Sequence, residues 1–261
     1  MLDRIKHDDI LELRLARPPV NALNLELLTA LREAIETAPD TGARALILSG
    51  RPGVFTAGLD LPWLIAQGID TVEATWTAFG GVCRALAASP LLSVAAIGGY
   101  SPAGGAVISL YCDYRVMARS PSGDDPAAKR GPYRIGLNEV QVGLFVPDAI
   151  QYALRRQIGA YRAERLMVAG AMPTAEEALG IGLVDELSDA EDVVARARAW
   201  LASQLALPQA AQRETRRIAR RDLRESIEDP ARMDLPRFIA AWQSPETQTV
   251  LRAVLAKLGK G

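Results

Sequence analysis

The chain has 261 residues, of which 49% are hydrophobic and 23% are charged, and its formal net charge is −1. That balance argues against a protein that binds nucleic acid or an anionic membrane surface, because such proteins are normally basic. The two cysteines, Cys83 and Cys112, are too few for a disulfide framework or a cysteine-based metal site. We therefore expect no metal and a reducing compartment.

Histidine is the scarcest catalytic residue type in this chain. His7 is the single histidine, and it lies in the charged N-terminal stretch 1–9. A Ser-His-Asp triad, a Cys-His pair or a histidine-ligated zinc site would need a well-placed histidine. We therefore expect chemistry that depends on carboxylates and backbone groups. The same stretch does not resemble a signal or transit peptide, and no apolar run approaches the roughly 20 residues of a membrane span, so we expect a cytoplasmic protein.

Strand and helix patterns alternate through the first half of the chain. Leu11, Leu13 and Leu15 alternate with Glu12 and Arg14, as expected for a half-buried strand. Asn24 is placed to cap a helix with an apolar stripe. The other predicted elements are strands over 43–49, 92–97 and 112–118 and a helix over about 71–88. This order predicts an α/β fold with crossover connections.

The last third of the chain is helical in pattern. Thr174–Glu177 and Ser188–Glu191 both have the capping-box spacing of a hydroxyl followed three residues later by glutamate. From Asp189 onward nearly every segment favours helix. We therefore divide the chain into an α/β core, residues 1–200, and a C-terminal helical region, residues 201–261.

The loop Gly53–Leu61 follows the predicted strand 43–49. The small residues Ala57 and Gly58 allow a tight backbone path that leaves the N–H of Leu59 without an internal partner. Asp60 is placed to cap the following helix. Taken alone, the loop is more typical of an ordinary strand–helix connection.

A second glycine-rich loop, Gly98–Ala106, follows the predicted strand 92–97. Ser101 suits the N-cap and Pro102 the first position of a helix, whose first-turn N–H groups, including that of Gly104, would face an anionic oxygen. The alternative is a capped, buried helix whose glycines permit close packing. Together the two loops predict an oxyanion hole built from backbone N–H groups.

Four motifs of this sequence, in order, resemble those of the crotonase (enoyl-CoA hydratase/isomerase) superfamily. They are FTAGLDL at Phe55–Leu61, SPAGG at Ser101–Gly105, LYCDYR at Leu110–Arg115 and IGLNEVQVG at Ile135–Gly143. The resemblance extends to PVNALN at Pro19–Asn24 and to Met172–Glu186, so it covers most of the chain. Within the superfamily, the residues of the second and fourth motifs are most similar to the corresponding motifs of the 3,2-enoyl-CoA isomerases.

The resemblance implies a fold, an assembly and a set of site residues. The fold would be an α/β spiral of repeated ββα units with a C-terminal helical trimerisation region, and the assembly a homotrimer or a dimer of trimers. The substrate would be an acyl-CoA thioester, with coenzyme A as part of the substrate and no separate cofactor. The implied residues are Glu139 as the catalytic acid/base, Leu59 and Gly104 as the oxyanion hole, and Ala22, Ala57, Asp60 and Val107 as coenzyme A or substrate contacts.

Val107 matches the position at which hydratases carry a second glutamate, and this departure favours isomerisation. One base is enough to move a proton from C2 to C4 of a 3-enoyl thioester, whereas hydration benefits from two carboxylates that hold a water. Leu137, Val140 and Val142 flank Glu139, so we expect apolar surroundings to raise its pKa. We also expect the side chain of Val107 to face the acyl carbons.

Two alternatives stay open from the sequence. Asp148 lies one residue from a second acidic position of other family members, which keeps a hydratase possible, although we favour Asp148 as an N-cap for 149–157. A non-catalytic scaffold that binds acyl-CoA or RNA is the other alternative, and the presence of Glu139 argues against it.

Two further segments are singled out by composition. Six arginines between 213 and 224 predict a solvated or subunit-facing helix surface, because acidic residues are interleaved and aromatic residues are lacking. Residues 120–131 resemble an insertion relative to the family and have the composition of a surface loop.

Overall fold

A computed structural model describes residues 1–123, 128–129 and 131–257. Six strands form the larger sheet, in the order β1-β2-β3-β5-β7-β9. The β1–β2 pair is antiparallel, and the remaining pairs are parallel. These strands are β1 Leu2–His7, β2 Ile10–Leu15, β3 Ala45–Ser49, β5 Leu92–Ile97, β7 Tyr114–Ala118 and β9 Glu186–Ser188.

A second, smaller sheet holds three short parallel strands in the order β4-β6-β8. They are β4 Gly53–Val54, β6 Gly99–Pro102 and β8 Ile135–Gly136. From β3 onward, successive strands therefore belong alternately to the larger and the smaller sheet, and the pairs β1–β2, β3–β4, β5–β6 and β7–β8 are each followed by helix. This is the predicted spiral of ββα units, and the predicted strands 11–15, 43–49, 92–97 and 112–118 are confirmed to within two residues at each end.

Thirteen helices are assigned in the described residues. The core helices are α1 Leu25–Thr37, α2 Leu61–Ile65, α3 Ile69–Ala88, α4 Gly104–Leu110, α5 Asp148–Ile158, α6 Ala160–Ala169 and α7 Ala175–Gly180. The C-terminal helices are α8 Val193–Leu205, α9 Gln209–Ala219, α10 Arg221–Glu228, α11 Pro230–Met233, α12 Leu235–Gln243 and α13 Pro245–Lys257. Short 3-10 turns cover Ala38–Thr41 and Glu139–Val142. Within the described residues, no helix combines the length and the apolar character needed to span a lipid bilayer.

Three predicted helix caps are confirmed, one of them Asp60 at the start of α2. Asn24 Oδ1 accepts from the N–H of Leu27 at the start of α1, and Thr174 and Glu177 form the reciprocal capping box of α7. All three satisfy N–H groups that the first turn of a helix leaves without partners.

Three other predicted caps are wrong. Ser101 and Pro102 end β6, and α4 begins at Gly104 after Ala103. Ser188 lies in β9, and α8 begins later, after Asp192. Asp148 is the first residue of α5 rather than its cap. In the first two cases the residue with the hydroxyl is itself part of a strand, because ladder pairing outweighs the local capping preference.

The C-terminal helices are anchored on the core by part of the arginine run. Arg216 and Arg220 both pair with the buried carboxylate of Asp113, at 2.8 and 2.9 Å. Arg216 also donates to the carbonyl of Ser89, just after the end of α3. The prediction that the arginine run faces solvent is therefore wrong for these two arginines. Both form ion pairs with Asp113, which is far away in the sequence. Arg217 and Arg224 are exposed as expected and pair along the helix with Glu214 and Glu228.

The predicted insertion 120–131 lies partly outside the described residues. Its first residue, Ser120, donates through both its N–H and its hydroxyl to the carboxylate of Glu176, each at 2.7 Å. This end of the segment is therefore held on α7.

Candidate active site

A cavity of about 160 Å³ lies where the loops after β3 and β5 meet α3, α12 and the 3-10 turn Glu139–Val142. Leu59, Gly104 and Glu139 all line it. Among the described residues of the lining, Glu139 is the only ionisable side chain. The structure thus brings the three residues of the predicted catalytic set to one cavity.

The N–H of Leu59 is left free by the way its two neighbours pair. Gly58 O accepts from the N–H of Leu23, and the N–H of Asp60 donates to Leu23 O, at 2.8 and 3.0 Å. In such a parallel bridge the groups of the middle residue point to the opposite side. No hydrogen bond from the N–H of Leu59 occurs within the described part of the chain.

Asn21 holds the loop that carries Leu59. Asn21 is 1% exposed, and its side-chain amide donates to Phe55 O at 3.0 Å. The backbone carbonyl of Asn21 accepts from the hydroxyl of Thr56 at 2.7 Å. Thr56 Oγ1 in turn accepts from the N–H of Gly58. Arg17 pairs with Asp60 at 2.7 Å on the other side of the same loop. These bonds fix the backbone on both sides of Leu59.

Gly104 is the first residue of α4, so its N–H has no intrahelical acceptor. Ala103, just before it, has φ 43° and ψ −115°, a conformation that favours glycine and that non-glycine residues rarely adopt. Its N–H donates to Gly136 O and its carbonyl accepts from the N–H of Val107, so both of its backbone groups are fixed. Strain of this kind is often found at functional sites. For the N–H of Gly104 too, no acceptor exists in the described ranges.

The two loops touch each other beside the cavity. A β-carbon added at Gly58 would lie 3.2 Å from the nitrogen of Gly104, and one added at Gly104 would lie 3.3 Å from the α-carbon of Gly58. Gly58 also has φ +79°, which a side chain would strain further. Glycine at 58 therefore permits the approach that brings the N–H groups of Leu59 and Gly104 to the same cavity.

Glu139 begins the 3-10 turn, and its side chain carries an unusual pKa. Burial raises that pKa from its ordinary value of 4.5 to about 7, and its own backbone N–H opposes the shift weakly. Oε2 is buried without a hydrogen-bond partner among the described residues. Of the flanking residues that predicted apolar surroundings, Val142 lines the cavity, whereas Val140 is 41% exposed and does not contribute.

The prediction for Val107 is wrong, and the alternative left open for Asp148 is not supported. Val107 is completely buried one turn beyond Gly104, and it is not among the residues that line the cavity. Asp148 is exposed and forms ion pairs with Arg155 and Arg232, so its carboxylate lies outside the cavity. The sequence position of Asp148 suggested a second acid, but the start of α5 directs this side chain to the surface.

The remaining predicted site residues have mixed surroundings. Ala57 lines the cavity and is exposed. Ala22 is half-buried, and its carbonyl accepts from Arg17 at 2.8 Å. Asp60 caps α2 through the N–H of Trp63 and pairs with Arg17, as predicted for the cap. His7 does not line the cavity and pairs with Glu12 at 2.7 Å.

Sequence reasoning missed the aromatic part of this cavity. Trp76 and Phe79 contribute from α3 and Phe238 from α12. No local pattern joins residues so distant in the chain, and the helical period of α3 signalled only that one face is buried. Asn138, whose Oδ1 is buried without a partner in the described structure, also lines the cavity and was not singled out.

The described residues contain no cluster of side chains that could bind a metal ion. Across residues 1–123, 128–129 and 131–257, no group of three or more histidine, cysteine, aspartate or glutamate side chains is placed to hold a metal ion. The arrangement instead combines one buried carboxylate with two unpaired backbone N–H groups. Such an arrangement suits proton transfer at a carbon next to a carbonyl, whose oxygen becomes negative as the proton leaves.

Comparison with known proteins identifies the family. A model of the enoyl-CoA hydratase/isomerase family matches residues 6–255. The human mitochondrial enoyl-CoA delta isomerase 1 is 34% identical over 248 residues, which are 94% of this chain and 79% of that protein. The chain belongs to the enoyl-CoA hydratase/isomerase family.

Solved structures and a second relative agree with this assignment. The crystal structure of human mitochondrial delta3-delta2-enoyl-CoA isomerase superposes with a TM-score of 0.88 at 32% identity, covering 99% of this chain and 98% of that one. A probable enoyl-CoA hydratase of Mycobacterium avium is 34% identical over 192 residues, 72% of this chain and 69% of its own. An enoyl-CoA hydratase of Bacillus halodurans, at 24% identity and a TM-score of 0.81, shares the fold.

Proposed function

We propose that this chain is a 3,2-trans-enoyl-CoA isomerase, which moves the double bond of a 3-enoyl-CoA to the 2-trans position during fatty-acid β-oxidation. One observation carries the proposal. Glu139 is the only ionisable side chain among the described residues that line the cavity, and the free N–H groups of Leu59 and Gly104 line it as well. The similarity to proteins named enoyl-CoA delta isomerases supports the same activity.

The reaction needs one base that becomes an acid. The ionised carboxylate of Glu139 removes a proton from C2, and the electron pair left at C2 moves towards the thioester oxygen. The N–H groups of Leu59 and Gly104 stabilise the resulting negative oxygen, and one such donor is typically worth about 3 to 4 kcal/mol of barrier. The protonated Glu139 then delivers its proton to C4, and the double bond forms between C2 and C3. A pKa of about 7 suits both half-steps at neutral pH.

Hydration is disfavoured in this proposal by the lack of a second acid. Val107 occupies the position at which a hydratase would carry one, and the carboxylate of Asp148 is exposed and paired with two arginines. No other carboxylate lines the cavity within the described structure. Activation of water would therefore depend on Glu139 alone.

A paired assay tests the function. The purified protein is given 3-hexenoyl-CoA and, separately, 2-trans-hexenoyl-CoA, and the 2-enoyl and 3-hydroxyacyl products are quantified. We expect isomerisation to be faster than hydration by at least two orders of magnitude. Hydration as fast as isomerisation would contradict the assignment, because water would then be activated without a second carboxylate.

We further propose that Ala22, Ala57 and Asp60 lie along the coenzyme A part of the substrate, with Ala57 at the exposed edge of the cavity. The two backbone groups of Asp60 already pair with Leu23 and Leu64, so any contact there would have to involve its side chain. Protection of this loop from hydrogen exchange by added coenzyme A would support the placement, and unchanged exchange would contradict it.

The assembly and the location also stay proposals. We propose a homotrimer or a dimer of trimers formed through the C-terminal helical region. Phe238, Trp242 and Leu251 are large apolar residues of this region, but they are buried within the single chain, so they give this proposal no independent support. Light scattering at micromolar concentration tests it, and a monomeric mass would contradict it. A cytoplasmic location is still expected, although the human relative is named mitochondrial.

A further inference from the structure

One wall of the cavity is aromatic and joins the core to the C-terminal helices. Trp76 from α3 stacks on Phe238 from α12, with ring centroids 3.7 Å apart and planes at 7°. Phe79, one helical turn beyond Trp76, lies 5.9 Å from the Trp76 ring. The chain has four phenylalanines, and three of them, Phe79, Phe145 and Phe238, line this one cavity. We call Trp76, Phe79 and Phe238 the aromatic wall.

The aromatic wall is a fixed part of the protein interior. Trp76 is 7% exposed and Phe238 1% exposed. Trp242, on the next turn of α12, lies 6.3 Å from Phe238 and supports it from behind. Protein interiors are packed as densely as organic crystals, so a stacked pair held between two helices cannot swing aside without displacing its neighbours. The wall therefore limits the space for a ligand.

The polar and aromatic parts of the cavity are adjacent. A β-carbon added at Gly104 would lie 3.3 Å from Cε2 of Phe79, so the aromatic wall begins beside one of the two N–H groups that face the thioester oxygen. An acyl chain whose carbonyl binds at Leu59 and Gly104 would therefore start beside Phe79, with Trp76 and Phe238 further along the same side of the cavity.

The volume sets the length of that chain. The cavity measures about 160 Å³, and an engineered apolar cavity of about 150 Å³ in another protein takes up one benzene molecule, which has six carbons. The same space here has to hold the reacting carbons of the acyl group and the remainder of its chain. By this comparison, the cavity is filled by about six carbons.

We propose that the stacked pair Trp76–Phe238 ends the acyl site and makes the protein selective for short acyl chains of about six carbons. This proposal rests on the proposed function, since it treats the cavity as the acyl site of an enoyl-CoA isomerase. Trp76 and Phe238 are then specificity-determining residues, and the C-terminal helical region contributes directly to substrate choice.

The experiment compares chain lengths in matched variants. The values of kcat/KM for 3-enoyl-CoA substrates of 6, 10 and 14 carbons are measured for the wild type, Trp76→Leu and Phe238→Leu. A methylene that finds an apolar site contributes about fourfold in affinity, so room for two more methylenes predicts a gain of roughly fifteenfold in kcat/KM for the 10-carbon relative to the 6-carbon substrate. The wild type should prefer the 6-carbon substrate by at least tenfold over the 14-carbon substrate.

Trp200→Leu is the matched control. Trp200 also stacks on an aromatic ring, that of Tyr114, at 4.5 Å and 11°, but neither residue lines the cavity. This variant should keep the wild-type chain-length preference. An equal shift in Trp200→Leu and Trp76→Leu would overturn the proposal. Phe238→Leu shortens the same aromatic wall from α12. If Trp76→Leu does not fold, we expect the same shift in chain-length preference from Phe238→Leu.

Binding separates this inference from the proposed function. Calorimetric affinities of the same proteins for hexanoyl-, decanoyl- and tetradecanoyl-CoA require no turnover. The wild type could fail to isomerise 3-enoyl-CoA and still bind acyl-CoA more weakly as the chain grows, with affinity for long chains restored in Trp76→Leu. That result would refute the proposed isomerase function and support the aromatic wall as the limit on chain length. Wild-type affinity that is equal for hexanoyl- and tetradecanoyl-CoA would overturn the wall whatever the isomerase assay shows.

Discussion

Two buried glutamates of this protein have opposite surroundings. Glu12, in β2, accepts hydrogen bonds from Ser49 Oγ at 2.6 Å and from Arg14 Nε at 2.9 Å, and it pairs with His7 Nε2 at 2.7 Å. Glu139 has no such partner for its Oε2 in the described part of the chain. Burial pushes the pKa of both upward, but His7, Ser49 and Arg14 outweigh burial at Glu12 and hold its pKa below the ordinary value.

The comparison shows that hydrogen-bond partners, more than burial, decide what a buried carboxylate does. Glu12 is held as a carboxylate and serves the structure between β1, β2 and β3. Oε2 of Glu139 is buried without a partner among the described residues, and burial raises its pKa to about 7, so its two protonation states lie close in free energy near neutral pH. A group in that condition costs stability and suits proton transfer.

The largest effect is expected from Glu139→Gln. The amide keeps the shape but does not accept and return a proton, so kcat should fall by about three orders of magnitude. The affinity for hexanoyl-CoA, measured by calorimetry, should change by less than about threefold. Turnover near the wild-type value would mean that another base operates.

Glu12→Gln should act on stability instead. The amide keeps one acceptor oxygen but replaces the other by an N–H donor, and it removes the charge that pairs with Arg14 and His7. Because the side chain of Arg14 is partly exposed, we expect a loss of about 2 kcal/mol. Urea unfolding measures this loss, while kcat of the folded enzyme should stay within about twofold of wild type. A large loss of kcat at unchanged stability would remove the distinction between the two glutamates.

Stability should depend on pH with opposite sign at the two sites. The pKa of Glu12 is lowered on folding, so its contribution is present above the unfolded value of 4.5 and is lost as pH falls through its folded pKa. The pKa of Glu139 is raised to about 7, so its contribution becomes unfavourable as pH rises from 4.5 to 7. Glu139→Gln should therefore stabilise the protein by up to about 3 kcal/mol at pH 8 and by little at pH 4.5. Equal effects of this variant at both pH values would contradict the raised pKa.

Asn21→Ala is expected to have the smallest effect of the set, and it tests the other half of the site. The variant loses the bond from Asn21 to Phe55 O and loosens the loop of Leu59, so kcat should fall by about tenfold, part of what a lost oxyanion donor costs. The pH at which kcat/KM is half-maximal should stay near 7, because Glu139 is untouched. Asn21→Asp, which keeps the acceptor for the N–H of Arg17, provides the comparison. A shifted midpoint in Asn21→Ala would show that the loop acts through Glu139 instead.

The residues of the candidate active site could be predicted from the sequence better than the contacts between strands and helices that stabilise the fold. The loops with Leu59 and Gly104, and Glu139 itself, followed from motifs that are contiguous in the chain. Glu12 was assigned to the solvent side of a half-buried strand, because the alternation of Leu11, Leu13 and Leu15 carries no information on what covers the opposite face. His7 and Ser49 come from neighbouring strands of the sheet.

The stack of Trp76 on Phe238 and the pairing of Arg216 and Arg220 with Asp113 were missed for the same reason. Each joins a C-terminal helix to a core element far away in the sequence. Local periodicity and capping signals identify elements, whereas contacts between distant elements depend on how those elements pack.

Carbon-13 NMR of the glutamate side-chain carboxyls, followed from pH 3 to pH 9, tests the central claim most directly. Comparison with Glu139→Gln assigns the Glu139 signal, and Glu12→Gln assigns that of Glu12. We expect the Glu139 signal to titrate near pH 7 and the Glu12 signal to titrate below 4.5. A Glu139 signal that titrates near 4.5 would contradict the claim that an unpartnered, buried carboxylate is held ready for proton transfer.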